Sequence, residues 1–142
     1  MTTRRAILIL AGALLAVLAA PAGAQTMQKA SLAASPPSYR ADAARHVYAT
    51  YADQIFKGML PPLVHAIVVV ETEVDKVGNV QDIRVVRSPS HAPEVTKAVV
   101  AMIHKASPFP ETNQLGTMKF TEVWLVDHSG QFQLHTLTEG QR

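Results

Sequence analysis

An α+β fold is predicted, with helices packed on one face of a mainly antiparallel sheet in the order α-β-β-α-β-β. Three observations predict it. Residues 64–74 place an apolar or β-branched side chain at every second position, the period of a strand with one buried face. Residues 80–87 return after a polar, glycine-bearing turn, and residues 93–106 then change to helical spacing behind a proline-marked break. A second helix ahead of this unit and a second hairpin behind it complete the order.

Each element has its own signal. Across residues 39–57, Val47, Tyr51 and Ile55 fall on one helical stripe with Tyr48, Ala52 and Phe56 beside it, and Gly58 stands where the helix should end. Pro61 and Pro62 then force an extended approach to the first strand. In that strand Val64, Ala66, Val68, Val70, Thr72 and Val74 share the face to be buried. The other face starts with Ile67 and Val69 and turns acidic at Glu71, Glu73 and Asp75, so the strand is expected to leave the body of the domain as it proceeds. Gly78 and Asn79, both tolerant of positive φ, close a hairpin loop over residues 75–79.

Val80, Ile83, Val85 and Val86 supply apolar cover in the returning strand, while Asp82, Arg84 and Arg87 keep part of it wet. After Ser88 and Pro89, Ser90 is the expected N-cap, Pro93 fits a first turn, and Glu94 complements the helix dipole. Val95, Ala98, Val99, Met102, Ile103 and Ala106 recur on one stripe of this helix, which should lie across the hairpin. Pro108 and Pro110 flank Phe109 and stop it. A strand over residues 117–127 follows, with Met118, Phe120, Trp124 and Val126 on one face. Residues 127–130 form a turn, and residues 131–137 return with Phe132 and Leu134 inward.

Arg4 and Arg5 precede an aliphatic run from Ala6 to Ala20, then Pro21 and the small residues Ala22, Gly23 and Ala24. Residues 1–24 therefore read as a secretory signal peptide cleaved after Ala24, residues 25–38 as a flexible leader, and residues 39–142 as one domain. Export is expected to carry the domain out of the cytoplasm, into an oxidising compartment. Loss of Arg4 and Arg5 takes the thirteen basic residues to eleven, equal to the eleven acids, so no excess of positive charge recommends nucleic acid or an anionic membrane as partner. With no cysteine, the domain has to hold by its core alone.

No chemistry-bearing constellation stands out. The six histidines, His46, His65, His91, His104, His128 and His135, lack the close spacing of a metal site, and Glu71, Glu73 and Asp75 read as the solvated end of a strand. Ser88 and Ser90 near His91 read as strand stop and helix cap rather than a catalytic pair. No glycine-rich phosphate loop is present. The expectation is a protein that is not an enzyme and has no cofactor or metal.

The run Val74-Asp75-Lys76-Val77-Gly78-Asn79-Val80, the strand end Val85-Val86-Arg87-Ser88, the helix behind it and Pro108-Phe109-Pro110 resemble the C-terminal domain of the TonB family over roughly residues 60–127. The resemblance implies a periplasmic TonB/TolA-like domain that binds the N-terminal peptide of an outer-membrane transporter by adding it to an exposed sheet edge. It also implies that residues 117–126 form the receiving strand, whose second face carries Lys119, Thr121, Val123 and Leu125. The strand at residues 131–137 is the other one expected at the open side. Family members carry an uncleaved helix and a long spacer, whereas the leader here spans at most about 50 Å when stretched, so no energy transduction of its own is expected. The expected function is thus a cell-envelope binding or adaptor domain with a protein or peptide partner. Alternatives are a structural homo-oligomer, paired as a homodimer by strand addition, an accessory subunit of an envelope complex, or a small hydrolase or metal carrier.

Overall fold

The computed structural model describes residues 30–141, which form a mixed helix and sheet domain with a four-stranded antiparallel sheet and two α-helices. The expected signal peptide, and the leader up to residue 29, lie outside the described residues.

The first helix, α1 (Pro36–Thr50), starts inside the stretch expected to be a leader. The reason is local. Ser35 and Ser38 form a capping box in which each side chain reaches the other residue's amide, at 3.5 Å and 3.2 Å, while Pro36 and Pro37 fill first-turn positions that need no N–H. The helix also stops at Tyr51 rather than at Gly58. A single 3₁₀ turn follows at Ala52–Gln54, after which Ile55 pairs with Phe132 and the Phe56 amide donates to the Phe132 carbonyl at 2.9 Å. Ile55 and Phe56 thus continue the helical spacing in sequence but are extended in space.

Strands β1 (Ala66–Val74) and β2 (Val80–Arg87) form the expected hairpin. Ala66, Val68, Val70, Thr72 and Val74 are all buried. The turn is held by Asp75, whose Oδ1 accepts the amides of Val77 at 3.0 Å and Asn79 at 2.9 Å, and Gly78 takes φ 85°. The acidic face of β1 does not leave the body of the domain. β1 is an inner strand, and Glu71 and Glu73 are paired across the sheet with Arg84 at 3.3 Å and Lys119 at 3.1 Å.

Helix α2 (Pro93–Ala106) buries Val99, Ile103 and Ala106, half-buries Val95 and Met102, and leaves Ala98 exposed. Its N-cap is Ala92, not Ser90, and no side chain caps it. Ala92 is fully buried, which anchors the entry to the helix by packing instead of by a hydroxyl. At the other end Ser107 adopts an extended conformation ahead of Pro108, and Phe109 is driven into the core. Three side chains of α1 clasp this end: Tyr39 donates to the Pro110 carbonyl at 2.8 Å, Tyr51 to Met102 at 2.7 Å, and His46 Nε2 to Ala106 at 2.7 Å.

β3 (Met118–Val126) pairs with β1 along its whole length, and β4 (Phe132–Leu134) is shorter than expected, ending in a 3₁₀ turn at His135–Leu137. The strand order is β2-β1-β3-β4. Trp124 lies in the core at 2% exposure, its ring 4.7 Å from that of Phe132.

Candidate functional site

Sheet order alone makes β3 an inner strand, which corrects the expectation that residues 117–126 lie wholly at the open side. Its flank is nevertheless uneven. β4 covers only Trp124, Leu125 and Val126, while β1 runs from Met118 to Val126 on the opposite side. The Asp127 amide donates to the Gln131 carbonyl at 2.9 Å, which fixes the direction in which alternate residues point. Leu125, Val123, Thr121 and Lys119 therefore turn their main-chain groups toward the β4 side. Leu125 finds Gln133 there; Lys119 and Thr121, beyond the end of β4, have no partner on that side among the described residues.

β4 itself is closed. The segment at Ile55 and Phe56 lies along its outer edge, Tyr48 accepts the Leu134 amide at 3.1 Å, and Gln133 donates to the carbonyls of Phe56 at 2.9 Å and Gly58 at 2.7 Å. The second strand expected at the open side is thus sealed by the chain that precedes β1. β2, in contrast, has a bare outer edge, where Ile83 and Val85 aim main-chain groups away from β1 with no partner among the described residues.

The side chains named from the sequence divide into two pairs. Lys119 and Thr121 are exposed, and opposite them on β1 stand Glu73 and Glu71. The Glu73 carboxylate, hydrogen-bonded to the ammonium, raises the Lys119 pKa. Val123 and Leu125 are half-buried opposite Val69 and Ile67, forming an apolar quartet on the face away from the core. The four residues share one face of one strand, but only the first pair borders the open edge.

Glu122 was not singled out by the sequence reading. It sits between Phe120 and Trp124 on the core face, only 5% exposed. Its Oε1 accepts the Val123 amide at 2.9 Å, the Thr136 amide at 3.3 Å and Arg40 Nη2 at 3.3 Å. The carboxylate thereby stands in for the residues β4 lacks and marks the upper end of the open edge. Its Oε2, with Arg40 Nε and Thr136 Oγ1, is buried and without a partner. One signal was available: a lone acid in an otherwise apolar face of an inner strand requires a counter-ion or donors.

No family model matches this chain, and neither the curated proteins nor the solved structures yielded a match.

Proposed function

We propose that this is a binding or adaptor domain of the cell envelope, of TonB C-terminal type, which recognises an extended peptide by taking it up as an added strand. With both helices against one face of an α-β-β-α-β-β sandwich, the opposite face and two strand edges are left for a partner. The observation that carries the reading is the bare stretch of β3, where Lys119 and Thr121 point paired donors and acceptors outward beside a sealed β4. The signal-like residues 1–24, cleaved after Ala24, and the resemblance over residues 60–127 support a periplasmic location and an outer-membrane transporter segment as the peptide. Main-chain pairing needs no catalytic group, cofactor or metal, and the domain does not transduce energy itself.

Titrating the isotope-labelled protein with N-terminal transporter peptides should shift the amides of Lys119 and Thr121 first. Silence at both across a broad peptide panel would refute the proposal. A second reading follows from the bare β2 edge. Antiparallel pairing of two β2 strands would make a homodimer with a continuous sheet, a structural oligomer or accessory subunit of an envelope complex. Sedimentation at rising concentration distinguishes them: the first reading gives a monomer, the second a dimer without added peptide.

A further inference from the structure

At the end of the sheet opposite the β1–β2 turn, a groove of about 330 Å³ opens between the start of β1 and the end of β2. It is walled by Val64, His65 and Ile67 and by the chain from Arg87 to His91, brought together because β2 ends too soon. β1 pairs with β3 from Ala66 onward, but with β2 only from Val69, opposite Arg87. By the alternation established above, Ile67 turns its N–H and C=O toward the missing part of β2. Pro89, where the strand would continue, has no N–H, and its carbonyl is taken by the Ala92 amide at 3.3 Å. Among the described residues Ile67 is left with an unpaired donor and acceptor, on the floor of the groove.

The lining holds one cation, Arg87, with two serines and two histidines beside the apolar Val64, Ile67 and Pro89. Arg40, Arg45 and Arg84 each contact a carboxylate, whereas Arg87 has none within ion-pair distance among the described residues. His91 is held in place by donating Nε2–H to the His65 carbonyl at 2.6 Å. The His65 ring lies between those of His91, at 5.4 Å, and His128, at 4.4 Å. No acid lines the groove.

We propose that this groove binds the C-terminal carboxylate of an extended peptide. The peptide runs parallel to β1, its final residues bonding the N–H and the C=O of Ile67 in turn, and its carboxylate meets the Arg87 guanidinium, a planar fork suited to two parallel bonds. Ser90 offers a hydroxyl beside it, the Ser88 hydroxyl being engaged with that of Thr96 at 2.7 Å, and Val64 and Pro89 offer apolar surface to the terminal side chain. The unpaired main-chain edge selects a peptide end over a free anion, because only a chain with alternating donors and acceptors uses both groups of Ile67. A volume at the small end of the usual range for ligand sites restricts the occupant to the final few residues. This site is independent of the β3 edge.

The tripeptide Ala-Val-Leu with a free C-terminus, the same tripeptide amidated, and inorganic phosphate are the probes, titrated into the labelled protein. The free acid should shift the amides of Ile67 and Arg87 and leave Lys119 and Thr121 unmoved, with the amidated form at least tenfold weaker. Arg87→Ala should cost the free acid at least tenfold in affinity at an unchanged melting temperature, and Arg87→Lys should recover part of it. Equal binding of acid and amide, or phosphate binding as tightly as the free acid, overturns the proposal.

Discussion

Glu122 shows how one residue can decide where a sheet stops. Its carboxylate accepts amides from both β3 and the turn after β4, so removing it strands several buried donors at once. Glu122→Ala should destabilise the fold by about 3 kcal/mol, and Glu122→Gln, which keeps one acceptor oxygen, by less. Urea unfolding of the three proteins checks both the size and the order.

Tyrosine titration belongs to the same scale. Burial raises the pKa of Tyr39, Tyr48 and Tyr51 above the ordinary phenol value, with nearby acids adding to the effect at Tyr39 and Tyr48. A folded-state pKa above that of the unfolded chain means the stabilisation is intact below about pH 10 and is lost as pH rises beyond it. Tyr39→Phe should flatten this alkaline loss, while costing about 1–3 kcal/mol at neutral pH because the buried Pro110 carbonyl loses its donor. Unfolding curves from pH 7 to 11 measure both.

Among the elements, the β1–β2 hairpin is the one most fully specified by its own residues. Asp75 holds two amides of the turn and Gly78 sits at φ 85°, a conformation that costs a side-chain-bearing residue energy. Asp75→Ala and Gly78→Ala should each lower stability by about 1–2 kcal/mol without changing the fold, measured by thermal unfolding with an unaltered far-ultraviolet spectrum. α2 gives the contrast between spacing and burial. Ile103→Ala should cost about 2–5 kcal/mol, whereas Ala98→Gln, on the same sequence stripe but exposed, should change stability by less than about 0.5 kcal/mol.

At the scale of the whole molecule, the order β2-β1-β3-β4 buries the longest strands in the middle and distributes the open edges. Hydrogen exchange should therefore be slowest at inner-strand amides engaged in the β1–β3 ladder, such as Val68, Val70 and Trp124. It should be fast at Thr121, Ile83 and Val85, whose amides point outward. Protection at those three positions in a concentrated sample, disappearing on dilution, would reveal strand pairing between copies.

The alternation of residues 64–74, the turn chemistry of residues 75–79 and the helical stripe ending at Pro108 are local patterns, and each was legible because the side chains that define it are neighbours in the chain. The start of α1 was misread because a Ser-Pro-Pro-Ser string has the composition of a linker and the spacing of a cap. The acidic face of β1 was misread because its counter-ions, Arg84 and Lys119, come from other strands.

Sequence by itself determined the hairpin, the helix over it and the class of the fold. The tertiary structure alone decided which strands meet, and with that which edges are bare. Local periodicity assigns a side chain to a face, but the partner of a main-chain group is set by how far each neighbouring strand runs. The early ends of β4 and β2 leave main-chain groups of Thr121 and Ile67 without a partner among the described residues, and tertiary packing brings together the rings of His65, His91 and His128 from separate parts of the chain.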